Sequence, residues 1–207
     1  MGDDDVTGNR DDTEANRDQI LDAATRVFAE KGFNSARVDD VVASSGLSKG
    51  TVYWHYKSKD GLLTAVMRRF LSRELNKLNR LVTSEASVEA GLIAFVDQLI
   101  VALKHLGPLM QITLEFYAIA LRKEWARKLL REYYAEYRSM LCAIIQAGID
   151  SGEFRPVQPE ETAIALSALL EGMILVWVID DETVQIDQHT KAAVRLVLEG
   201  LKTRPRA

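Results

Sequence analysis

The stretch VDDVVASSGLSKGTVYWHYKSK, residues 38–59, decides the fold of the N-terminal part of this chain. Three valines at helical spacing predict a short helix that ends at Gly46, because glycine readily adopts the positive φ of a tight turn. Leu47 is apolar and would fill the angle between this helix and the next. A second short helix begins after Ser48, whose hydroxyl can cap the free N–H groups of its first turn. The stretch therefore predicts a helix-turn-helix, the arrangement whose second helix enters the major groove of DNA.

The second helix of this motif has one apolar face and one face that is predicted to point away from the core. Val52 and Tyr56 lie four residues apart and are predicted to face the core. The side chains left for solvent or DNA belong to Lys49, Gly50, Thr51, Tyr53, Trp54 and His55. Aromatic rings and hydroxyls beside a lysine suit phosphate contact and packing against base edges. The alternative is a small helical hairpin whose aromatic rings pack on the first helix of the chain.

Helical periodicity continues through the rest of the 207 residues, and no alternating strand pattern appears. We therefore predict an all-α protein of about nine helices. Residues 1–15 read as a disordered acidic tail, residues 16–62 as the helix-turn-helix domain and residues 63–203 as a larger helical domain, with a short tail at 204–207. The first three helices are short and the later ones long, which places the boundary near residue 62.

The charge distribution, the cysteine content and the apolar runs of the sequence indicate which classes of partner are possible. Residues 17–80 contain twelve basic and seven acidic side chains, whereas the chain as a whole has a net charge of −4. A basic segment in an acidic protein favours an anionic partner for that segment alone. Cys142 is the single cysteine, so no internal disulfide can form, as expected for a cytoplasmic protein. The longest apolar run, Met173–Ile179, is far shorter than the roughly 20 residues of a membrane span, and no membrane partner is expected.

Two segments, ILDAATRVFAEKGF (20–33) and VDDVVASSGLSKGTVYWHYKSKDGLL (38–63), resemble the N-terminal domain of the tetracycline-repressor (TetR) family of bacterial transcriptional regulators. The resemblance implies that the DNA contacts are made by Ser48, Lys49, Gly50, Thr51, Tyr53, Trp54, His55 and Lys59. The family usually has Ser or Thr just before the second helix, where this chain has Arg37. The helix cap could shift to Ser35 or be absent, and Arg37 could contact a phosphate or a guanine.

A dimer is expected because one helix-turn-helix reads only a few base pairs, and tight binding needs two half-sites. The resemblance implies that the last two helices pair with those of a second copy. The predicted interface consists of Leu166, Leu169, Leu170, Met173, Trp177, Val194, Val197 and Leu201. The alternative is that these side chains form an entirely intramolecular core.

The resemblance also implies a small-molecule effector bound in the larger domain. Candidate pocket residues are Phe95, Leu99, Leu103, Met110, Leu114, Glu115, Tyr117, Trp125, Tyr134, Tyr137 and Met173. This aromatic and Met-rich set suggests a bulky lipophilic ligand, although core packing is the simpler explanation for any single member. Glu115 is an acid in an apolar run, so it needs either a buried partner or a helix face that reaches water.

We therefore expect a homodimeric repressor that leaves an inverted-repeat operator when the effector binds. The alternatives are an activator or co-repressor-dependent regulator of the same fold, and a non-specific structural DNA-binding protein. An enzyme is disfavoured because the sequence indicates no base that would activate Cys142, and the histidines have no partner at metal-ligand spacing. We therefore expect no catalytic site, no metal and no cofactor. The expected location is the bacterial cytoplasm, on the nucleoid when operator is bound.

Overall fold

The computed structural model describes residues 5–84, 87–106 and 108–203. Within these residues the fold consists of nine helices and no strand, which confirms the prediction of an all-α protein. The helices are α1 (Asp5–Ser35), α2 (Val38–Ser45), α3 (Lys49–His55), α4 (Lys59–Ser84), α5 (Val88–Leu106), α6 (Pro108–Ala120), α7 (Glu124–Asp150), α8 (Pro159–Ile179) and α9 (Ile186–Leu201).

The acidic N-terminal segment differs from its prediction as a disordered tail. Helix α1 begins at Asp5, so residues 5–15 are helical, while residues 1–4 and 204–207 lie outside the described residues. Acidic side chains near a helix N-terminus interact favourably with the helix dipole. Because this local preference favours a helix, polarity and charge alone were an insufficient sign of disorder.

Gly32 interrupts α1 three residues before the end of that helix. Its φ of 70° and ψ of 156° are not helical, so the chain turns there before α2 begins. The backbone N–H of Ala36 donates to the carbonyl of Gly32 at 3.2 Å and closes this turn. We call residues 32–37 the α1–α2 joint.

Contacts divide the chain into two units. The first unit consists of Met1–Leu71 with Leu106–Leu130, and the second of Ser72–His105 with Arg131–Ala207. Helix α6 belongs to the first unit, where it packs against α1, so this division does not coincide with the predicted boundary after residue 62. The core of the first unit is apolar and fully buried, and includes Ile20, Phe28, Val41, Val52, Leu62, Met67, Ile112 and Phe116.

The second unit has its own core, formed by apolar side chains of α4, α5, α7, α8 and α9. Phe154, in the loop after α7, is 2% exposed and packs directly on Gly148. A Cβ at Gly148 would lie 2.3 Å from a ring carbon of Phe154, so only glycine allows this approach. The loop is held further by the N–H of Arg155, which donates to the carbonyl of Leu201 at 2.8 Å.

Helix α8 carries more apolar surface than its own unit covers. It is the one described helix whose length and composition would suit a membrane span, and only 17% of its most apolar window is buried. Ile164, Leu175, Val176 and Ile179 are all about half or more exposed. A Cβ at Gly172 would meet no atom within 4 Å, so the backbone there also faces open space. Helix α8 therefore has one buried and one uncovered apolar face.

Candidate DNA interface and effector-binding regions

The turn between α2 and α3 has the geometry that the sequence predicts. Gly46 adopts the left-handed conformation, with φ 70° and ψ 4°. Ser48 caps α3, because its Oγ accepts a hydrogen bond from the N–H of Thr51 at 3.0 Å. Val52 is fully buried and packs α3 against the rest of the first unit. Gln19 of α1 holds the turn from the other side by donating to the carbonyl of Ser45 at 2.7 Å.

The outer face of α3 presents aromatic rings to solvent. Trp54 is 70% exposed and Tyr53 is 36% exposed, although burial of Trp54 would gain apolar contact. The ring of Trp54 stands edge-on to His55, with 4.7 Å between the ring centroids, so the two rings support each other. Since neither Tyr53 nor Trp54 packs in the core, the alternative of aromatic rings buried on α1 does not describe these two side chains. Thr51 and His55 are half-buried, and Gly50 is exposed.

Lys49, at the first position of α3, forms a surface ion pair with another side chain of the same chain. Its Nζ lies 2.8 Å from Oδ1 of Asp39, and both side chains are more than 60% exposed. The hydrogen bond to Asp39 raises the pKa of Lys49. The ammonium also lies 5.5 Å from the centroid of the Tyr53 ring, within the range of a cation–π contact. The role of Asp39 is evident only from the structure, although an acid ten residues before a predicted DNA-contacting lysine is a signal for such a pair.

His55 is the last residue of α3 and is half-buried. Partial burial lowers the pKa of His55, and the guanidinium of Arg17 lowers it further. The Nε of Arg17 donates to the hydroxyl of Tyr56 at 3.2 Å, which places a positive charge beside the end of α3. This end of the helix is therefore suited to an anionic partner through Arg17 as well.

The N-terminus of α2 is capped by Asp40, which is not among the predicted cap residues. Arg37 occupies the cap position but its side chain makes no capping bond, and Ser35 is the last residue of α1 instead. The carboxylate of Asp40 accepts the N–H of Arg37 at 2.8 Å and an ammonium hydrogen of Lys31 at 2.7 Å. These bonds, with that to Lys31 the larger cause, lower the pKa of Asp40. The side chain of Arg37 is exposed, and its contact with DNA stays a prediction.

Lys59 is engaged within the first unit. Its Nζ donates to the carbonyl of Phe33 at 2.7 Å and to that of Asn34 at 3.0 Å. The ammonium also lies 4.6 Å from the centroid of the Phe33 ring. Two of its three N–H bonds thus hold the α1–α2 joint, and one remains for another acceptor. Contact between Lys59 and a DNA phosphate stays a prediction.

The predicted effector-binding residues fall in both units, and each set is described by itself. The first unit contains Met110, Leu114, Glu115, Tyr117 and Trp125, and the second contains Phe95, Leu99, Leu103, Tyr134, Tyr137 and Met173. In the first unit, a cavity of about 560 Å³ is lined by residues that include Glu115 and Trp125. Glu115 has a partner, because its Oε2 accepts the N–H of Phe33 at 2.7 Å.

In the second unit, Phe95 and Tyr137 border a void of about 20 Å³, which is enough for about one water and far below the size of a drug-like ligand. Tyr133 stacks on Tyr137, with 5.9 Å between centroids, and packs edge-on to Tyr134 at 5.1 Å. Burial raises the pKa of both Tyr133 and Tyr137, and Glu171 adds to the effect. The tyrosine hydroxyls are therefore neutral hydrogen-bonding groups at any physiological pH.

The predicted dimer residues are divided between the core and the surface of the second unit. Leu166, Leu170, Val194 and Leu201 are at most 7% exposed, so they pack within their own chain. Half-buried positions are Leu169, Met173, Trp177 and Val197. The exposed apolar positions lie on the other face of α8 and on α9, where Leu196 is 76% exposed.

Comparison with known families agrees with this architecture. The model described as "Bacterial regulatory proteins, tetR family" matches residues 20–66, which cover the helix-turn-helix and the start of α4. The model described as "BetI-type transcriptional repressor, C-terminal" matches residues 88–202, more than half of the chain. The chain belongs to the TetR family of bacterial transcriptional regulators.

Two relatives support the same assignment. The uncharacterized HTH-type transcriptional regulator YfiR of Bacillus subtilis is 34% identical over 145 residues, which are 70% of each chain. The HTH-type transcriptional repressor KstR2 of Rhodococcus jostii is 26% identical over 193 residues, 89% of this chain and 90% of the relative. Both are named as regulators of transcription rather than as enzymes.

Two solved structures share the fold and hold different ligands. A transcriptional regulator from Saccharomonospora viridis in complex with choline has a TM-score of 0.79 and 23% identity, covering 92% of this chain and 99% of that one. FadR from Bacillus subtilis in complex with stearoyl-CoA has a TM-score of 0.76 and 21% identity, covering 88% and 98%. At this identity the likeness shows the fold alone, and the fold accommodates ligands of very different size.

Proposed function

We propose that this protein is a homodimeric repressor that binds an inverted-repeat operator through α3 and leaves it when a small lipophilic effector binds. The observation that carries this proposal is the outer face of α3. Tyr53 and Trp54 are exposed beside Lys49, while Val52 anchors the same short helix in the core. An anchored helix with exposed aromatic rings and a cation suits the major groove. A bacterial cytoplasmic location accompanies this function.

The DNA-binding part is tested by selecting bound duplexes from a random pool with purified, effector-free protein at near-physiological salt. We expect an enriched inverted repeat. Thr51→Ala should relax the preference at one base position, whereas an exposed control, Lys57→Met, should leave the preference unchanged. Binding of all sequences with equal affinity would indicate the non-specific structural alternative, since phosphate contacts carry no sequence information.

The dimer part rests on the uncovered face of α8. Ile164, Ala168, Gly172, Leu175, Val176 and Ile179 follow one another at helical spacing and share one side of that helix. Small residues in the stripe allow close helix approach, as dimer interfaces built from paired helices require. The proposed interface therefore uses this stripe together with Leu196, rather than the three buried leucines and one buried valine of the sequence prediction.

Sedimentation equilibrium tests the dimer. We expect about 46 kDa for the wild type, twice the 23.2 kDa of one chain. Ile179→Arg should shift the mass towards one chain, because a charge on an apolar interface is costly to desolvate. Leu121→Arg is the matched control, since Leu121 is 79% exposed but belongs to the first unit. A monomeric wild type at micromolar concentration would contradict the proposal.

The effector part is supported by the cavity of the first unit, whose volume of about 560 Å³ lies within the usual range for ligand sites. A ligand releases operator only to the extent that it binds the DNA-free conformation more tightly. Operator binding is measured by fluorescence anisotropy with stearoyl-CoA and with choline as probes. A lipophilic effector predicts release by the acyl thioester and not by choline, and the reverse result would assign a polar cationic effector.

A further inference from the structure

The α1–α2 joint is held from two directions by charged side chains of other helices. Gly32 breaks the helical hydrogen-bond pattern, so the backbone groups that follow it need partners outside α1. Lys59 of α4 donates hydrogen bonds to the carbonyls of Phe33 and Asn34. Glu115 of α6 accepts a hydrogen bond from the N–H of Phe33 at 2.7 Å, although the two residues lie 82 positions apart in the sequence.

The carboxylate of Glu115 lies close to the backbone of Gly32. A Cβ at Gly32 would lie 3.1 Å from Oε1 of Glu115, closer than most real Cβ contacts. The positive φ of Gly32 turns the chain, and the missing Cβ lets the carboxylate reach the N–H of Phe33. The ring of Phe33 is buried against Phe28, with 5.6 Å between centroids, so the joint cannot shift without disturbing the core.

Core packing does not account for a glutamate at position 115. Its neighbour Phe116 is fully buried, and the rest of α6 is almost entirely apolar. A half-buried carboxylate is costly unless it is hydrogen-bonded, and here the bond is made to the backbone that leads into α2 and α3. Met110, Leu114 and Tyr117, three of the predicted effector contacts, lie on the same helix at helical spacing.

We propose that Glu115 is a positioning residue, which keeps the α1–α2 joint in the arrangement that binds operator and so ties operator affinity to the position of α6. This inference rests on the proposed DNA-binding function. What the joint requires of Glu115 is a hydrogen-bond acceptor at this point. A glutamine, which keeps an acceptor oxygen, should therefore replace it, whereas a methionine of similar length should not.

The test compares E115Q and E115M with a matched pair, E153Q and E153M. Glu153 also accepts backbone N–H groups, those of Val88 at 3.1 Å and Glu89 at 3.2 Å, but it caps α5 in the second unit. The readouts are thermal unfolding, operator affinity from anisotropy titration, and hydrogen exchange of the joint amides. We expect E115M to weaken operator binding about tenfold and to speed exchange at Phe33, with E115Q within about threefold of the wild type.

The control separates positioning from general stability. E153M should lower the unfolding temperature but leave operator affinity within about twofold of the wild type. If E115M lowers the unfolding temperature as E153M does and still binds operator like the wild type, Glu115 is purely structural and the inference is overturned. Loss of affinity in E115Q equal to that in E115M also overturns it. A wild type without any preferred sequence overturns the proposed function itself, which is a different result.

Discussion

Lys59→Met is the substitution for which the structure makes the most definite prediction. The methionine keeps the length of the side chain and the helix propensity of α4, but it removes the ammonium that donates to the carbonyls of Phe33 and Asn34. Both carbonyls then lose a charged donor, and the Phe33 ring loses a cation 4.6 Å from its centroid. We expect the α1–α2 joint to loosen and the folded protein to lose stability.

The expected size of this loss follows from the two bonds. A hydrogen bond from a charged group contributes about 1.5–3 kcal/mol where it is shielded from water, and less at an exposed carbonyl. The bond to Phe33 is part-buried and that to Asn34 is exposed, so we expect about 2 kcal/mol in total. For a chain of this size, that corresponds to a fall in the unfolding temperature of about 4–8 °C.

Circular dichroism at 222 nm measures the unfolding temperature, and anisotropy titrations at several salt concentrations measure DNA binding. Lys57→Met is the control, because it removes the same charge from an exposed side chain two residues away. An unfolding temperature of Lys59→Met within about 1 °C of the control would refute the joint-holding role. A fall of about 0.9 in the salt slope of binding would show in addition that Lys59 contacts a phosphate.

Three further predictions concern other sites. Since burial lowers the pKa of His55, its protonation favours the unfolded chain. The free energy of unfolding, measured by urea titration, should therefore fall between pH 7 and pH 5. The fall should be smaller in His55→Gln, which lacks the titrating group. Asp40→Ala should lower the unfolding temperature at pH 7 more than Asp40→Asn, which keeps an acceptor for the α2 cap. Because the pKa of Asp40 is lowered, the advantage of the wild type over Asp40→Asn should persist as the pH falls and be lost only at strongly acidic pH. Gly148→Ala should cost about 1–3 kcal/mol in denaturant unfolding because its Cβ meets the Phe154 ring, whereas Gly200→Ala, whose Cβ meets open space, should not destabilise.

The helix-turn-helix could be predicted from the sequence because its determinants are local. Gly46, Ser48 and Val52 act within a few residues of their own position, through backbone conformation, capping and helical period. The partners of Lys59 and Glu115 could not be predicted in the same way. Phe33 and Asn34 lie between 25 and 82 positions away along the chain, and their proximity depends on how the helices pack.

The faces of α8 illustrate a second limit. The helix is apolar on nearly every side, so its periodicity does not say which face its own unit buries. Leu166 and Leu170 were natural candidates for an interface, yet they lie in the core, while Ile164 and Ile179 face outwards. Only the packing of α8 against its neighbours distinguishes the two faces.

The pair between Lys49 and Asp39 has a consequence for how the protein searches a chromosome. A phosphate that approaches Lys49 must displace a carboxylate already 2.8 Å from the ammonium, and it also meets the repulsion of that carboxylate. This cost arises at every DNA sequence, whereas contacts to base edges offset it only at matching sites. If Lys49 contacts phosphate as proposed, Asp39 shortens the time spent on random DNA and on operator by the same factor, and the preference for operator then depends on the contacts to base edges alone.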